Sequence, residues 1–416
     1  MKKSSGRGPG VHGGAIEKVQ QKEQPEKGCG MEEKDMQIPY GRQWIDEEDI
    51  KAVSDVLRSD YITTGPKVAE FEKDLCGYVG AKYGVSFSSA TAALHAACRA
   101  ADVGDDEDDE VITSPLTFVA SANCALYAGG KPVFADIDPR TWNIDPADVE
   151  RKVTRNSKAL VLVDFAGQPC DMERYWVVAK KHKLVMIEDA AHALGAEYRG
   201  KMTGSYSDMT VFSFHPVKHI TTGEGGMVVT NNEAYYEKLL RFRNHGITRD
   251  QRWMTQREGG WYYEQLELGY NYRLTDMQCA LGISQLKKLP KFLERRREIA
   301  DRYSRAFRRV KGVTVPYEIP MVNSAWHLYV ILVPAEIRRA AYDRLHEAGV
   351  LVNVHYLPVY MHPYYREHGY SKVCCPKAEA YYERALSLPI FPAMTEEEIE
   401  YVIDTTSRII EELQPE

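Results

Sequence analysis

Short apolar runs alternate with amphipathic stretches through most of the chain, and this alternation is its strongest structural signal. Residues 111–113, 131–136, 158–164, 184–189, 211–214 and 227–229 are largely apolar and bounded by charges or turn residues, which predicts short buried strands. Residues 84–101, GVSFSSATAALHAACRAA, predict a strand, a tight turn of small residues and a helix. Ahead of them, Asp46 followed by EEDIKAVSDVLRS combines an N-cap acid, acids in the first turn and apolar residues at helical spacing. That predicts a helix to about Ser59, then the loop YITTGP and a second helix over 67–78. The βαβ alternation places the chain in the α/β class, with a mostly parallel central sheet and helices on both faces. A long amphipathic helix over 275–307, capped by Thr275 and carrying the basic run 295–297, leads out of this large domain, 37–307. Strands at 313–315, 327–333 and 350–354 and helices at 335–348, 377–385 and 395–412 predict a smaller α+β C-terminal domain over 308–416.

Composition narrows the partners. With 416 residues and 44% hydrophobic content the chain has enough apolar material for two domains. Its net charge of -7 is spread along the sequence, which argues against nucleic acid or an anionic membrane as the main partner. No apolar run approaches the roughly 18 to 20 residues that cross a bilayer. The eight cysteines include no CxxC pair, which fits reduced thiols and a cytoplasmic location. Residues 1–36, rich in Gly, Lys, Glu and Gln, lack the apolar core of a secretory signal and read as a disordered extension, with Met31 or Met36 as an alternative start. The acidic run GDDEDDE at 104–110 reads as a solvated turn, because its spacing fits no calcium loop.

Two strand ends carry candidate chemistry. Residues 184–189 end in Glu188 and Asp189, placing an acid at a strand's carboxyl end, where open α/β sheets bind ligands. Pro216 stops the 211–214 strand, so Lys218 lies just past another such end. A partly desolvated lysine is neutral often enough to attack a carbonyl and form a Schiff base. An acid one strand away suits the ring nitrogen of pyridoxal 5′-phosphate (PLP), whose protonation makes the ring an electron sink. The plain alternative for Asp189 is a helix cap. The small-residue turn before the 90–101 helix offers free N–H groups at Ala90 and Thr91 to a phosphate, though small residues also suit helix packing. His215 and His219 have HxxxH spacing, but Pro216 between them and the lack of a nearby third ligand argue against a metal.

EDAAHALG at 188–195, FSFHPVK with TTGEGG over 212–226, and GYNYRLTDMQCALG at 269–282 resemble, in order and spacing, the PLP-dependent sugar aminotransferases of the DegT/DnrJ/EryC1/StrS type, which have the fold-type I aminotransferase fold. The resemblance runs from about Ile38 to the end. RNHGITRD at 243–250 and WYYEQLELGYNYRL at 261–274 are similar to the subgroup making UDP-4-amino-4,6-dideoxy-N-acetyl-β-L-altrosamine, on the route to pseudaminic acid. The resemblance implies that Lys218 carries PLP, that Asp189 serves the ring nitrogen, and that His192 stands beside the phenolic oxygen. It further implies that Phe118 stacks on the ring, and that Ser213 joins Ala90 and Thr91 at the phosphate. Asn271 would reach the site from a neighbouring subunit, with Arg273 shaping the same segment, so a homodimer with shared active sites is expected. Substrate contacts are implied at Tyr40, Asp60, Tyr61, Ile62, Thr63, Ser89, Asn271, Trp326, His327, Leu328 and Tyr329, while His355 and Tyr356 stand in an H-Y-x-P segment of unassigned role. Core packing or an ordinary surface loop is the structural alternative for each of these positions.

The implied reaction is transamination of a nucleotide-linked 4-keto-6-deoxy sugar, UDP-2-acetamido-2,6-dideoxy-β-L-arabino-hex-4-ulose, with glutamate as donor and pyridoxamine 5′-phosphate as the alternate cofactor form. Other UDP- or dTDP-keto sugars, a PLP-dependent sugar dehydratase and a non-catalytic sugar-binding paralogue are the alternatives. One dehydratase branch replaces the lysine by histidine, and a paralogue would be expected to lose Lys218 or Asp189; both are present.

Overall fold

A computed structural model describes residues 36–414, which belong to one compact unit. Its centre is a seven-stranded sheet of β1 (Tyr83–Phe87), β2 (Glu110–Thr113), β3 (Lys131–Phe134), β4 (Ser157–Val163), β5 (Val185–Asp189), β6 (Met209–Ser213) and β7 (Gly226–Thr230). The order is β1-β7-β6-β5-β4-β2-β3. β7 runs antiparallel to β1 and β6, and the remaining pairs are parallel. The middle strands lack a polar face because helices cover both sides. Register then decides which side chains meet. Asp189 pairs with Val163 and Val211, and Gly226, the first residue of the reversed β7, pairs with both Phe87 and Ser213. The start of β7 therefore lies on the same edge as the carboxyl ends of its neighbours, so Asp189, Ser213 and the turn after Phe87 share one rim.

The helices of this part are α1 (Glu47–Leu57), α2 (Pro66–Val79), α3 (Ala90–Ala100), α4 (Ala120–Ala128), α5 (Pro146–Lys152), α6 (Met172–His182), α7 (Glu233–Arg243) and α8 (Asp276–Phe307). Both caps read from the sequence form complete capping boxes, Asp46 with Asp49 and Thr275 with Gln278. The acidic run is a turn around buried Asp109, whose carboxylate accepts the N–H groups of Gly104 and Asp106. After α8 come β8 (Tyr329–Leu332), α9 (Ala335–Glu347), α10 (Pro376–Tyr382), β9 (Ala385–Leu388) and α11 (Glu396–Leu413), with β8 antiparallel to β9. An apolar cluster including Tyr303, Tyr329, Ile331, Leu386 and Ile399 packs this region against the end of α8.

The C-terminal strands depart from expectation. The predicted strand at 313–315 reduces to a single bridge between Thr314 and Leu332. The one at 327–333 begins only at Tyr329, because Trp326 has a φ of 48° and turns the chain there. The one at 350–354 is two residues, Val350–Leu351, paired in parallel with Ile38–Pro39. The expectation of a disordered extension over residues 1–36 falls, apart from Met36, outside the described residues. No described helix is long and apolar enough to cross a membrane.

Candidate active site

Lys218 is presented by an excursion of the chain between β6 and β7. The Phe214 N–H donates to the Gly225 carbonyl (2.9 Å), the Thr222 N–H donates to the Phe214 carbonyl (3.0 Å), and the Lys218 N–H donates to the His215 carbonyl (2.9 Å). These bonds close the excursion and aim the amine inward, where Nζ lies 3.2 Å from His327 Nε2. Part of the side chain stays open to solvent, but its surroundings are largely desolvated. Burial pushes the amine down from the ordinary lysine value to about 7, against the upward pull of Asp189 and with a further downward push from Arg296. A substantial neutral fraction at physiological pH follows, which a nucleophilic lysine needs.

Asp189 closes β5 and is buried. Its Oδ2 accepts from Ser121 Oγ at 2.6 Å and its Oδ1 from the Ala191 N–H at 3.1 Å. Burial pushes the carboxyl above its usual range, while Ser121, Ala191 and the charge of Lys218 act the other way. A carboxyl in this state gains by meeting a cation, and a protonated pyridine nitrogen is such a group. His192 is buried nearby, with Nε2 3.3 Å from Tyr356 Oη and its ring 4.3 Å from that of His327. Burial, reinforced by the Lys218 charge, pushes both imidazoles well below their ordinary value, so they are neutral. The Nδ1 atoms of His192 and His327 are buried without a partner among the described residues. Unpartnered polar atoms beside an amine and a buried carboxyl fit a polar cofactor such as PLP.

On the same rim α3 begins, capped by Ser89, whose Oγ accepts from the Ala92 N–H at 3.1 Å. The N–H groups of Ala90 and Thr91 lie in the first turn, where a helix has no internal acceptors for them. A Cβ built on Gly226 would come within 2.6 Å of the Ala90 backbone nitrogen, so only glycine lets β7 pass this closely under the turn. Gly226→Ala is expected to cost about 1–3 kcal/mol of stability and, if the turn binds the phosphate, to weaken PLP binding by displacing it. Thermal melts and fluorescence titration with PLP would check both.

The other sequence candidates separate by location. Ser213 is nearly buried at the end of β6 and Phe118 is exposed just before α4. The Tyr40 ring lies 5.2 Å from that of His355. Asp60, Tyr61, Ile62 and Thr63 form an exposed loop, anchored where the Asp276 N–H donates to the Thr63 carbonyl. Asn271 is exposed and bridges Asn244 in the backbone ladder, and Arg273 donates to Asn244 Oδ1. Trp326 packs against Tyr329, with ring centroids 5.8 Å apart. Leu328 and Tyr329, expected at the substrate, have their side chains packed in the interior, Leu328 just before β8 in one apolar cluster and Tyr329 in another with its hydroxyl bonded to Ser304. His219 is buried with Nε2 at the Ala325 carbonyl, whereas His215 is exposed, so their rings do not converge.

Sequence reading missed Ser121 and Arg296 and left Tyr356 without a role. Ser121 follows Phe118 by three residues, a helical spacing that could have flagged it. Arg296 is fully buried and donates to the carbonyls of Trp326, His327 and Ile390. It falls on the apolar stripe of α8 with Leu289, Phe292, Leu293, Ile299 and Tyr303, so its helical phase was the available signal.

The DegT/DnrJ/EryC1/StrS aminotransferase family profile matches residues 43–407. The spore coat polysaccharide biosynthesis protein SpsC of Bacillus subtilis is 42% identical over 382 residues, covering 90% of this chain and 97% of that protein. The UDP-4-amino-4,6-dideoxy-N-acetyl-beta-L-altrosamine transaminase of Campylobacter jejuni is 40% identical over 383 residues, covering 91% and 98%. The solved structure of Helicobacter pylori PseC, an aminotransferase involved in pseudoaminic acid biosynthesis, matches with a TM-score of 0.85 at 35% identity, covering 91% of this chain and all of that one. With the family profile spanning nearly the whole described fold, the chain belongs to the DegT/DnrJ/EryC1/StrS aminotransferase family and is a PLP-dependent aminotransferase.

Proposed function

We propose that the protein transfers an amino group from glutamate to C4 of UDP-2-acetamido-2,6-dideoxy-β-L-arabino-hex-4-ulose. The observation that carries this reading is the Lys218 amine, held down to about 7 on a sheet rim that it shares with buried Asp189. Similarity to the altrosamine transaminase and to PseC supports the choice of sugar. Bound PLP supplies the electron-poor ring that takes up an electron pair from the donor's Cα–H bond. Lys218 Nζ removes the proton from that carbon and later delivers a proton to C4 of the sugar. Asp189 keeps the ring nitrogen protonated, Ser121 orients Asp189, and His192 flanks the phenolic oxygen with Tyr356 fixing its ring. Ala90, Thr91 and Ser213 hold the phosphate, and Phe118 covers the ring.

In this reading Tyr40, the Asp60, Tyr61, Ile62 and Thr63 loop, Trp326 and His327 contact the sugar nucleotide. The Ser89 hydroxyl accepts in its cap, so it has its O–H to donate. In the same reading two copies pair, and Asn271 completes the partner's site. The exposed apolar side chains of Trp253, Trp261, Leu266, Leu268 and Tyr270, adjoining exposed Asn271, support such an interface. A large cofactor-binding domain to residue 307, a smaller one beyond it, and a cytoplasmic location belong to this reading too. The test offers the PLP-loaded protein and glutamate to UDP-linked and dTDP-linked 4-keto-6-deoxy sugars, with products identified by mass spectrometry and NMR. Amination of the UDP-linked N-acetyl L-arabino sugar supports the proposal. Conversion of dTDP sugars alone refutes the substrate, and dehydration without amination refutes the reaction.

A further inference from the structure

Arg295, Arg296 and Arg297 are consecutive on α8 but do different things. Arg295 pairs at the surface with Glu298 and Glu396. Arg297 donates from Nε to the Ser324 carbonyl (3.1 Å) and from Nη2 to the Gly195 carbonyl (3.2 Å). Arg296 points into the core, 1% exposed, and no carboxylate among the described residues pairs with it. Its Nη1 donates to the carbonyls of Trp326 (3.1 Å), His327 (3.3 Å) and Ile390 (3.0 Å), and its Nε has no acceptor among the described residues. An unpaired buried cation is unfavourable, and an apolar side chain on this stripe would fold more cheaply.

The segment that Arg296 holds is strained and tightly packed. Trp326 has φ 48°, uncommon for a bulky residue. From the other side Gly167, at φ 105°, packs so closely that a Cβ there would lie 2.7 Å from the Trp326 nitrogen and 2.9 Å from those of His327 and the His192 carbonyl oxygen. The Ala325 N–H donates to the Gly167 carbonyl and the Leu328 N–H to the Ala166 carbonyl. Residues 324–327 are thus pinned between the Gly167 turn and the α8 arginines, which sets His327 Nε2 at 3.2 Å from Lys218 Nζ.

We propose that Arg296 is a positioning residue of this active site, which fixes His327 against the Lys218 amine and supplies the positive charge behind that amine. The inference rests on the reading of Lys218 as the working amine but not on the identity of the sugar. Lys218 is faced by Asp189 from β5, by His192 and His219 from the adjoining loops, by His355, by His327 and, behind His327, by Arg296. Burial leads in pushing the four imidazoles down, so they are neutral and the fixed charges around the amine are those of Asp189 and Arg296. Arg296 acts downward on Lys218 and Asp189 upward.

The test is competitive acetylation of PLP-free protein with acetic anhydride between pH 5 and 10, with the Lys218 peptide quantified by mass spectrometry. The wild type is expected to titrate near 7. Arg296→Met should raise the apparent value by half a unit or more, a roughly threefold drop in neutral amine below the midpoint. If the methionine variant does not fold, Arg296→Gln, which keeps a donor for the carbonyls, is read in its place. A folded neutral variant that titrates like the wild type would overturn the proposal. Failure of the sugar assay would leave this readout intact, so the two claims fall separately.

Discussion

Lys218→Ala is expected to lower amino transfer by about 10⁴-fold, because in the proposed reaction the same amine serves as attachment point and as proton carrier and no neighbouring group can do both. The His327 ring lies within 3.2 Å of it, yet burial keeps that imidazole neutral and well below its ordinary value, so it is a poor proton store. The PLP-free variant should still fold. The sign of its stability change follows from linkage. The folded-state value for Lys218 is about 7, far below that of an unfolded lysine, so the unfolded chain binds more protons between about pH 7 and 10.4. Burying this amine is thus most unfavourable below pH 7, and the cost fades as pH rises through that window. Melting curves of PLP-free wild type and Lys218→Ala should therefore differ most in the variant's favour below pH 7 and converge towards pH 10. A difference independent of pH would contradict a depressed Lys218.

Asp189→Asn should leave the fold intact and reduce turnover by about 10²- to 10³-fold, the range lost when a buried group that stabilises developing charge is neutralised. The amide oxygen can still accept from Ser121, so the change isolates charge from shape. PLP affinity should fall in parallel. The variant also makes a prediction opposite in sign to that for Arg296→Met. Asp189 raises the Lys218 value, so its neutralisation should move the acetylation midpoint below about 7. Unchanged turnover would remove Asp189 from the reaction.

Much of this was legible in the sequence because it is local. The caps Asp46 and Thr275, the buried strands and the placing of Asp189 and Lys218 at strand ends all follow from spacing and turn chemistry within a dozen residues. What was not legible depends on tertiary pairing. Residues 313–315 and 350–354 have strand composition, but only Val350 and Leu351 find partners in regular strand pairing there, while Thr314 and Asn353 are each bridged singly, to Leu332 and Ser387. Leu328 and Tyr329 stand beside a residue that touches the amine, but the turn at Trp326 sends them inward, and no sequence pattern announces a left-handed tryptophan. Arg296 lay in a basic run that read as a solvated face, although its phase matched the apolar stripe. Net composition hides a single charge on the wrong side of a helix.

The most direct measurement follows nitrogen itself. Wild-type protein loaded with PLP is given ¹⁵N-glutamate and the UDP-linked 4-keto sugar, with Lys218→Ala alongside, and the product is read by NMR. Wild type is expected to give ¹⁵N bonded at C4 of the sugar, and the variant none. A sugar product without the label, or labelling that persists in the variant, would contradict the proposed reaction.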